Sequence, residues 1–547
     1  MKKLVLIALI LVLAIGTIFA SCAKETTTPA TTQATKPATT PATTPATTPA
    51  PAITPATGQP QYGGILKIHR RATPDTPIGD VAGMGPQTWE SMANIAFQPM
   101  GYYNGAGEFV PCLATALDPA ADKTYMDITL RQGVKFHDGS VFNAKVCKWN
   151  MDKYTKQRPS TNPQWNSVEV LSDYKVRVKL NYWTNTIYYG LANLDMASEE
   201  AYEKNGEAWA NVNPVGTGPF KFVEYQRDAK MTFTKFVDYW EKGKPYMDGV
   251  ENIYLTDPMT TQMAFEAGKL DLCYLFLGKQ ASELKALGFP YNELSSALCP
   301  VHALVPSNAN PESPLSSLKV RQAISLAFDR KAITDALGYG WLTPVHQIAP
   351  PGALAYIPGL ETLEPDNTAK AKQLLEEAGH PTGFKTRLII PPNWANQELA
   401  SAMQSSLAKI GIQATIEYPE QGKFAEYRWT KGGWHDGLIF QEFSNWTVYT
   451  MHPSFYWWRA GATPQYFDNA YPAGFDDLVN QLLTTTQIDV TLAQKFNKML
   501  YDDKTCIPLY QLHMAAFLQP GIHTNYLSFA FKNDWLAGDT WIEKPSK

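Results

Sequence analysis

Hydrophobic and polar positions divide the chain into three regimes. An uncharged apolar run covers Leu4 to Ala20, apolar periodicity then vanishes from Ala23 to Gln61, and from Tyr62 onward it returns as short alternating and helical stretches. Ile65, Leu66 and Ile68, directly after Gly63-Gly64, predict a strand. Tyr125-Met-Asp-Ile-Thr-Leu-Arg131 alternates as a second strand, Asp138-Gly139 makes a tight turn, and Asn143 caps a helix with Cys147, Met151 and Tyr154 on one face. Val176, Val178 and Leu180 alternate in a strand from Lys175 to Leu180, and the turn Pro214-Val-Gly-Thr-Gly-Pro-Phe220 leads into a strand from Lys221 to Tyr225. Further on, Val320, Ile324, Ala327 and Phe328 mark the buried face of a helix from Leu318 to Phe328. A second helix, from about Thr368 to Ala378, is stopped by Gly379 and Pro381. A strand from Arg387 to Ile390, a helix from Gln397 to Lys409 and a strand from Gln413 to Glu417 follow. Helix and strand alternate through this half, which predicts an α/β lobe.

The opening run, about 17 residues behind Lys2 and Lys3, has the n-region and h-region of a secretory signal and is short for a bilayer span. Phe19-Ala20-Ser21-Cys22 resembles a bacterial lipobox, with Phe19 at the position where Leu is usual. Residues 1-21 are therefore expected to be a signal peptide and Cys22 the site of lipid attachment. Two acyl chains suffice for stable anchoring where one is marginal, at about 0.8 kcal/mol per buried methylene. Residues 22-61 read as a lipid-anchored disordered linker of Thr, Pro and Ala, with PATT repeated from Pro37 to Thr48. At roughly 3.1 Å per residue a polyproline-like spacer of this length reaches on the order of 100 Å. The body is expected at the outer face of the cytoplasmic membrane or in the periplasm.

Composition narrows the function classes. The 547 residues are 44% hydrophobic and 12% aromatic but only 18% charged, which is ample for a large core and too apolar for a disordered chain. Formal charge is -4, and without residues 1 to 61 it falls to about -7, because Lys2, Lys3, Lys24 and Lys36 leave with Glu25 alone. No basic stripe exists, so nucleic acid is not an expected partner. Five body cysteines, Cys112, Cys147, Cys273, Cys299 and Cys506, show neither CxxC nor Cys/His spacing, which argues against a zinc site. Buried free thiols are the simpler reading, with Cys273 and Cys299 the pair to consider for a bridge. No nucleotide-binding or hydrolase motif is present, so no cofactor is expected, whereas a catalytic carboxylate pair has no sequence spacing by which it would be seen.

The body resembles the family 5 solute-binding proteins of ABC transporters, the oligopeptide, dipeptide and nickel group. The resemblance rests on Leu130-Arg-Gln-Gly-Val-Lys-Phe-His-Asp-Gly-Ser-Val-Phe-Asn-Ala144, with Gly63-Gly64, Val215-Gly-Thr-Gly-Pro-Phe220, Val320-Arg-Gln-Ala-Ile-Ser-Leu-Ala-Phe-Asp-Arg330 and Ala371-Lys-Gln-Leu-Leu-Glu-Glu-Ala-Gly379 in the family's order. It implies a bilobed periplasmic-binding-protein-like α/β fold with a hinge. Lobe 1 would span 62-300 with an inserted subdomain at about 104-204, lobe 2 would span 301-509, and 510-547 would return to lobe 1. It also implies capture of an oligopeptide-like solute by cleft closure without enzyme activity, delivery to an ABC permease, and a monomeric body. These motifs are scaffold; His137 and Asp138 are expected to hold a turn.

Ligand selection is expected between Gly432 and Gly461. Trp434, Trp446, Tyr449, Phe455, Tyr456, Trp457 and Trp458 lie there among Ser, Asn, Thr and His without a clean helical or strand period. That mixture suits a loop lining a cavity, although any single ring there is as well explained by core packing. Arg459 can hold a carboxylate through two parallel N–H donors or pair with a neighbouring acid. Peptide-binding members place an Asp of an Asp-Pro pair against the peptide amine; here Gly433-Trp-His-Asp-Gly437 lacks that pair, and Asp436 is the nearest candidate. The tryptophans favour an oligosaccharide as the alternative solute, and His435 and His452 give only scattered support for nickel. A secreted surface hydrolase and a sensory binding module are the readings from other classes.

Overall fold

The computed structural model describes residues 59–543 except 104–108, 160–161, 275–277, 295, 297–298, 364, 392–396, 431–432, 444–468, 487–488 and 526–534. The expected leader, Cys22 and nearly all of the spacer lie outside these residues. In chain order the elements used below are β1 (Ile65–Arg70), β2 (Ala114–Pro119), β3 (Tyr125–Leu130), α1 (Ala144–Gln157), β4 (Trp165–Ser172), β5 (Lys175–Leu180), β6 (Phe220–Gln226), β7 (Lys230–Lys235), β8 (Gly249–Tyr254), β9 (Leu272–Tyr274) and β10 (Tyr291–Glu293). They continue with β11 (Val301–Pro306), α2 (Leu318–Ala327), β12 (Leu342–Pro344), α3 (Thr368–Glu377), β13 (Lys385–Ile389), α4 (Gln397–Ala408), β14 (Gln413–Glu417), β15 (Gly437–Phe443), α5 (Phe475–Thr484), α6 (Val490–Asp503), β16 (Ile507–Leu512) and β17 (Ala515–Leu518).

Three sheets organise these elements. A seven-stranded sheet has the order β10-β17-β9-β1-β8-β7-β6, a six-stranded sheet β12-β16-β11-β15-β13-β14, and a four-stranded sheet β2-β3-β5-β4. The four-stranded unit falls in sequence between β1 and β6. It has its own core, built from Met126, Ile128, Val176 and Val178 under Cys147, Met151 and Tyr154 of α1. Asn143 starts α1 as the spacing predicts, its Oδ1 accepting from the backbone N–H groups of Lys145 (3.0 Å) and Val146 (3.2 Å).

The six-stranded sheet is covered on both faces, which explains why β11 and most of β15 are buried almost without interruption. Successive residues go to opposite cores. Leu304, Leu388 and Phe440 pack with α2, α3 and α4, while Ala303, Ile389 and Ile439 pack with α5 and α6. At the end of α3, Gly379 takes φ +86°, and the N–H of His380 reaches back to the carbonyl of Leu375 at 2.8 Å. That left-handed turn is the helix stop its sequence announces.

Two of the sequence motifs meet in space. The N–H of Gly216 donates to Nδ1 of His137 (3.3 Å), Nε2 of the same ring donates to the carbonyl of Gly218 (2.9 Å), and the backbone N–H of His137 donates to the carbonyl of Gly216 (2.9 Å). These bonds fix the neutral tautomer, and burial lowers the imidazole to about 4. A side chain at Gly216 or Gly218 would collide with the backbone of Ile95 and Ala96, its Cβ lying 2.0 Å from the Ala96 carbonyl oxygen or 2.3 Å from that of Ile95. Asp138 accepts from the hydroxyls of Ser140 and Ser198, each at 2.6 Å. The pair His137 and Asp138 is thus tied into the scaffold. All five body cysteines are buried free thiols, so Cys273 and Cys299 form no bridge.

Candidate functional site

The chain passes between the two large sheets twice, and both passages lie at the same end of each sheet. β10 ends at Glu293 and β11 begins at Val301; β16 ends at Leu512 and β17 begins at Ala515. In the seven-stranded sheet Glu293 pairs with Ala515 and Tyr274 with Ala516, so the carboxyl ends of β1, β8 and β9, which run parallel, face the passages. In the six-stranded sheet Val301 pairs with Phe443, and β13 runs parallel to β14 and β15, so their carboxyl ends face the passages as well. Open α/β sheets bind ligands beyond the carboxyl ends of their strands. Two such edges meeting at one double crossing define the candidate site.

The edge of the seven-stranded sheet carries a buried polar network. Arg70, the last residue of β1, donates from Nε to Oδ1 of Asn252 (2.9 Å) and lies 3.6 Å from the carboxylate of Glu90. The Tyr274 hydroxyl, at the end of β9, donates to the same carboxylate. Burial pushes the Glu90 carboxyl up, and the charge of Arg70 works against that shift. Asn252 Nδ2 and the Tyr254 hydroxyl then hold Ser91 through its carbonyl (2.8 Å) and its Oγ (3.1 Å). Every member has a partner, so the network stiffens this edge. Arg71 follows with partial exposure.

The opposite edge is more varied. His302 stacks on Tyr510 (centroids 4.9 Å apart) and on Phe440 (5.5 Å), two rings that also touch each other at 6.2 Å, and its Nε2 lies 3.8 Å from the Glu442 carboxylate. Burial lowers its pKa, and Glu442 opposes the shift. At the end of β14, Glu417 accepts from the Tyr427 hydroxyl (2.5 Å) and from Arg387 (3.2 Å). Gln441, one residue before Glu442, is buried, and among the described residues neither atom of its side-chain amide has a hydrogen-bond partner. A buried amide of that kind calls for a donor and an acceptor that the described residues do not provide.

The sequence-predicted residues separate along β15. Trp434 is fully buried in the core with Ile389, Phe424, Ile439 and Phe496. Asp436 is exposed in a left-handed turn (φ +55°), and its carbonyl accepts from Thr386 Oγ1 at 2.7 Å. Both precede β15, whereas the passages lie beyond its far end, about 20 Å away at ~3.3 Å per residue. Asp436 is therefore remote from the meeting edges. Trp446, Tyr449, Trp457, Trp458 and Arg459 lie outside the described residues, as does His452. Their segment follows Phe443, which does end at the passages. Among the described residues no cluster of three His, Cys, Asp or Glu suited to a metal is found, and no helix is long and apolar enough to cross a membrane. Sequence reasoning missed Arg70, Glu90, Tyr274 and Gln441. Only Arg70-Arg71, two cations directly after an apolar strand, carried a signal for the first three.

The chain is 30% identical over 337 residues to the glutathione-binding protein GsiB of Salmonella typhi, covering 60% of this chain and 64% of that relative. Among solved structures, DppA from Helicobacter pylori in complex with peptide STSA matches with a TM-score of 0.72 at 23% identity, over 88% of this chain and 99% of its own. NikA from Brucella suis in complex with Fe(III)-EDTA matches with a TM-score of 0.75 at 23% identity, over 87% of this chain and 100% of its own. The fold is that of the bilobed periplasmic binding proteins. Residues 108–467 match the family model described as bacterial extracellular solute-binding proteins, family 5 Middle, and the chain belongs to that family.

Proposed function

We propose that the protein captures an oligopeptide-like solute between its two lobes, closes about the double crossing and passes the solute to an ABC permease, making and breaking no bond. The observation that carries this reading is the convergence of the carboxyl ends of both sets of parallel strands on the two passages. A relative named for glutathione and a structural neighbour holding peptide STSA favour a peptide-like solute. We assign solute contact to Trp446, Tyr449, Trp457, Trp458 and Arg459, which follow β15 from its inward end, and we assign no such contact to Asp436. The lipid anchor at Cys22, the spacer and a monomeric body belong to the same proposal. They would hold the acidic body within reach of its permease.

The tryptophans among residues 446 to 458 favour an oligosaccharide as a second reading, because flat indoles stack on sugar faces. Native mass spectrometry of the protein as purified, followed by a thermal-shift screen of peptides, cello- and xylo-oligosaccharides and nickel chelates, separates the two. A ligand at a hundredfold excess over its Kd stabilises the folded state by about 2.7 kcal/mol. A shift with a sugar and none with any peptide would overturn the peptide assignment.

A further inference from the structure

The last turn of an α-helix leaves its carbonyls without intrahelical donors and carries the negative end of the helix dipole. In α5, which belongs to the second lobe, three consecutive carbonyls of that turn receive donors from the four-stranded unit of the first. Asn185 Nδ2 donates to Leu482 (2.8 Å), the backbone N–H of Asn185 donates to Leu483 (2.8 Å), and Lys123 Nζ donates to Thr484 (3.0 Å). Asn185 Nδ2 also reaches Thr485 Oγ1 at 3.4 Å. The helix carries Asp476 and Asp477 in its first turn and no basic residue in its last, so the cation at this end comes from the other lobe. The two donor residues lie on separate loops. Lys123 occupies the turn between β2 and β3 at φ +60°, and Asn185 stands five residues beyond β5. These contacts join parts of the chain 297 to 361 residues apart, and neither donor belongs to the crossing segments.

We propose that Lys123 and Asn185 form a latch, capping α5 from the opposite lobe and biasing the hinge toward its closed form. The proposal rests on the reading that the lobes close. The cap exists only while the lobes are together, so its free energy enters the open-to-closed equilibrium directly.

The test compares the full chain with its Lys123→Gly/Asn185→Ala variant, the glycine being chosen because it suits the left-handed backbone there. Nitroxide labels on Val170→Cys and Leu363→Cys, both exposed sites, in a Cys22→Ser background report the inter-lobe distance by double electron–electron resonance without any solute. The five body cysteines are buried and stay unlabelled. Loss of two to three hydrogen bonds, one of them charge-assisted, is expected to raise the ratio of long to short distances roughly tenfold or more. Lys123→Gly alone should give part of that change, and salt should mimic it in the parent protein. Coincident distance distributions for parent and variants would overturn the latch. So would a variant whose only change is a lower melting temperature, because that is the mark of a local helix cap. A failure of the solute assignment leaves this measurement untouched.

Discussion

Val301 pairs with Phe443 across the antiparallel ladder between β11 and β15. The residue that brings the chain into the second lobe therefore faces the residue from which it departs toward the tryptophan-rich stretch. Because β15 runs in one direction from Gly437 to Phe443, the residues directly before Gly437 lie at one end of the sheet and the chain leaves from the other end after Phe443. This relationship ranks the candidate ligand residues.

The ranking is testable by substitution. Trp457→Ala/Trp458→Ala is expected to abolish the thermal shift given by whichever peptide or sugar emerges from the screen, a loss of the full ~2.7 kcal/mol seen at a hundredfold excess. Asp436→Asn is expected to leave that shift intact, since the carboxylate is exposed at the remote end of β15. An unchanged shift in the double tryptophan variant would return both rings to the core. A lost shift in Asp436→Asn would overturn the placement argument.

Much of this fold was legible in the sequence, because its elements are amphipathic and punctuated. The alternation from Lys175 to Leu180, the cap at Asn143 and the stop at Gly379 each give a local signal that survives into the structure. The site was less legible. Trp434 and Asp436 sit within the aromatic stretch in sequence, but a strand about 20 Å long separates them from its remainder, and linear spacing does not show which end of a strand faces a crossing. The Arg70–Glu90–Tyr274 cluster gathers residues from three distant segments. Such long-range pairing leaves no periodic trace in one sequence.

Arg70→Ala should be among the more damaging single changes in the first lobe. It leaves Glu90 buried with its ion-pair partner gone and removes the donor to Asn252 Oδ1. Breaking a buried pair on one side costs about 3–5 kcal/mol. Urea denaturation followed by tryptophan fluorescence should show an early transition for this variant. Arg70→Ala/Glu90→Gln should recover part of the loss, since it removes the stranded charge. A midpoint equal to the parent's would show that the network contributes little.

Gly218→Ala tests the junction of the two motifs. Its Cβ would stand 2.3 Å from the Ile95 carbonyl oxygen and 2.7 Å from the Ala96 carbonyl carbon, distances at which backbone must move. The same movement would stretch the His137 Nε2 bond to the Gly218 carbonyl. A loss of about 1–3 kcal/mol is expected from such overpacking. The control is Gly139→Ala, at φ +91° with open space around it, where the cost is conformational strain alone. If Gly218→Ala melts at the parent temperature, the motif glycine is not held by this contact.

His69 and His137 together predict a pH dependence of stability. Burial is the largest cause in both, lowering each imidazole to about 4, while hydrogen bonds to the Leu255 and Gly218 carbonyls pull in the opposite direction. An unfolded histidine titrates near 6.5. Between pH 6.5 and 4 the unfolded chain therefore takes up protons that the folded chain does not, and stability falls as pH falls. The contribution is fully present above about pH 6.5 and fully lost near pH 4. With a shift of this size each ring contributes up to ~3 kcal/mol. Urea midpoints at pH 7.5, 6.5, 5.5 and 4.5 should decline through that window. Carboxylates begin to protonate at its lower end, so the decisive comparison is with His69→Gln/His137→Gln. Glutamine keeps a donor and an acceptor but does not titrate. The variant's midpoint should decline less between pH 6.5 and 4.5 than the parent's, and parallel curves for the two proteins would show that neither histidine is responsible.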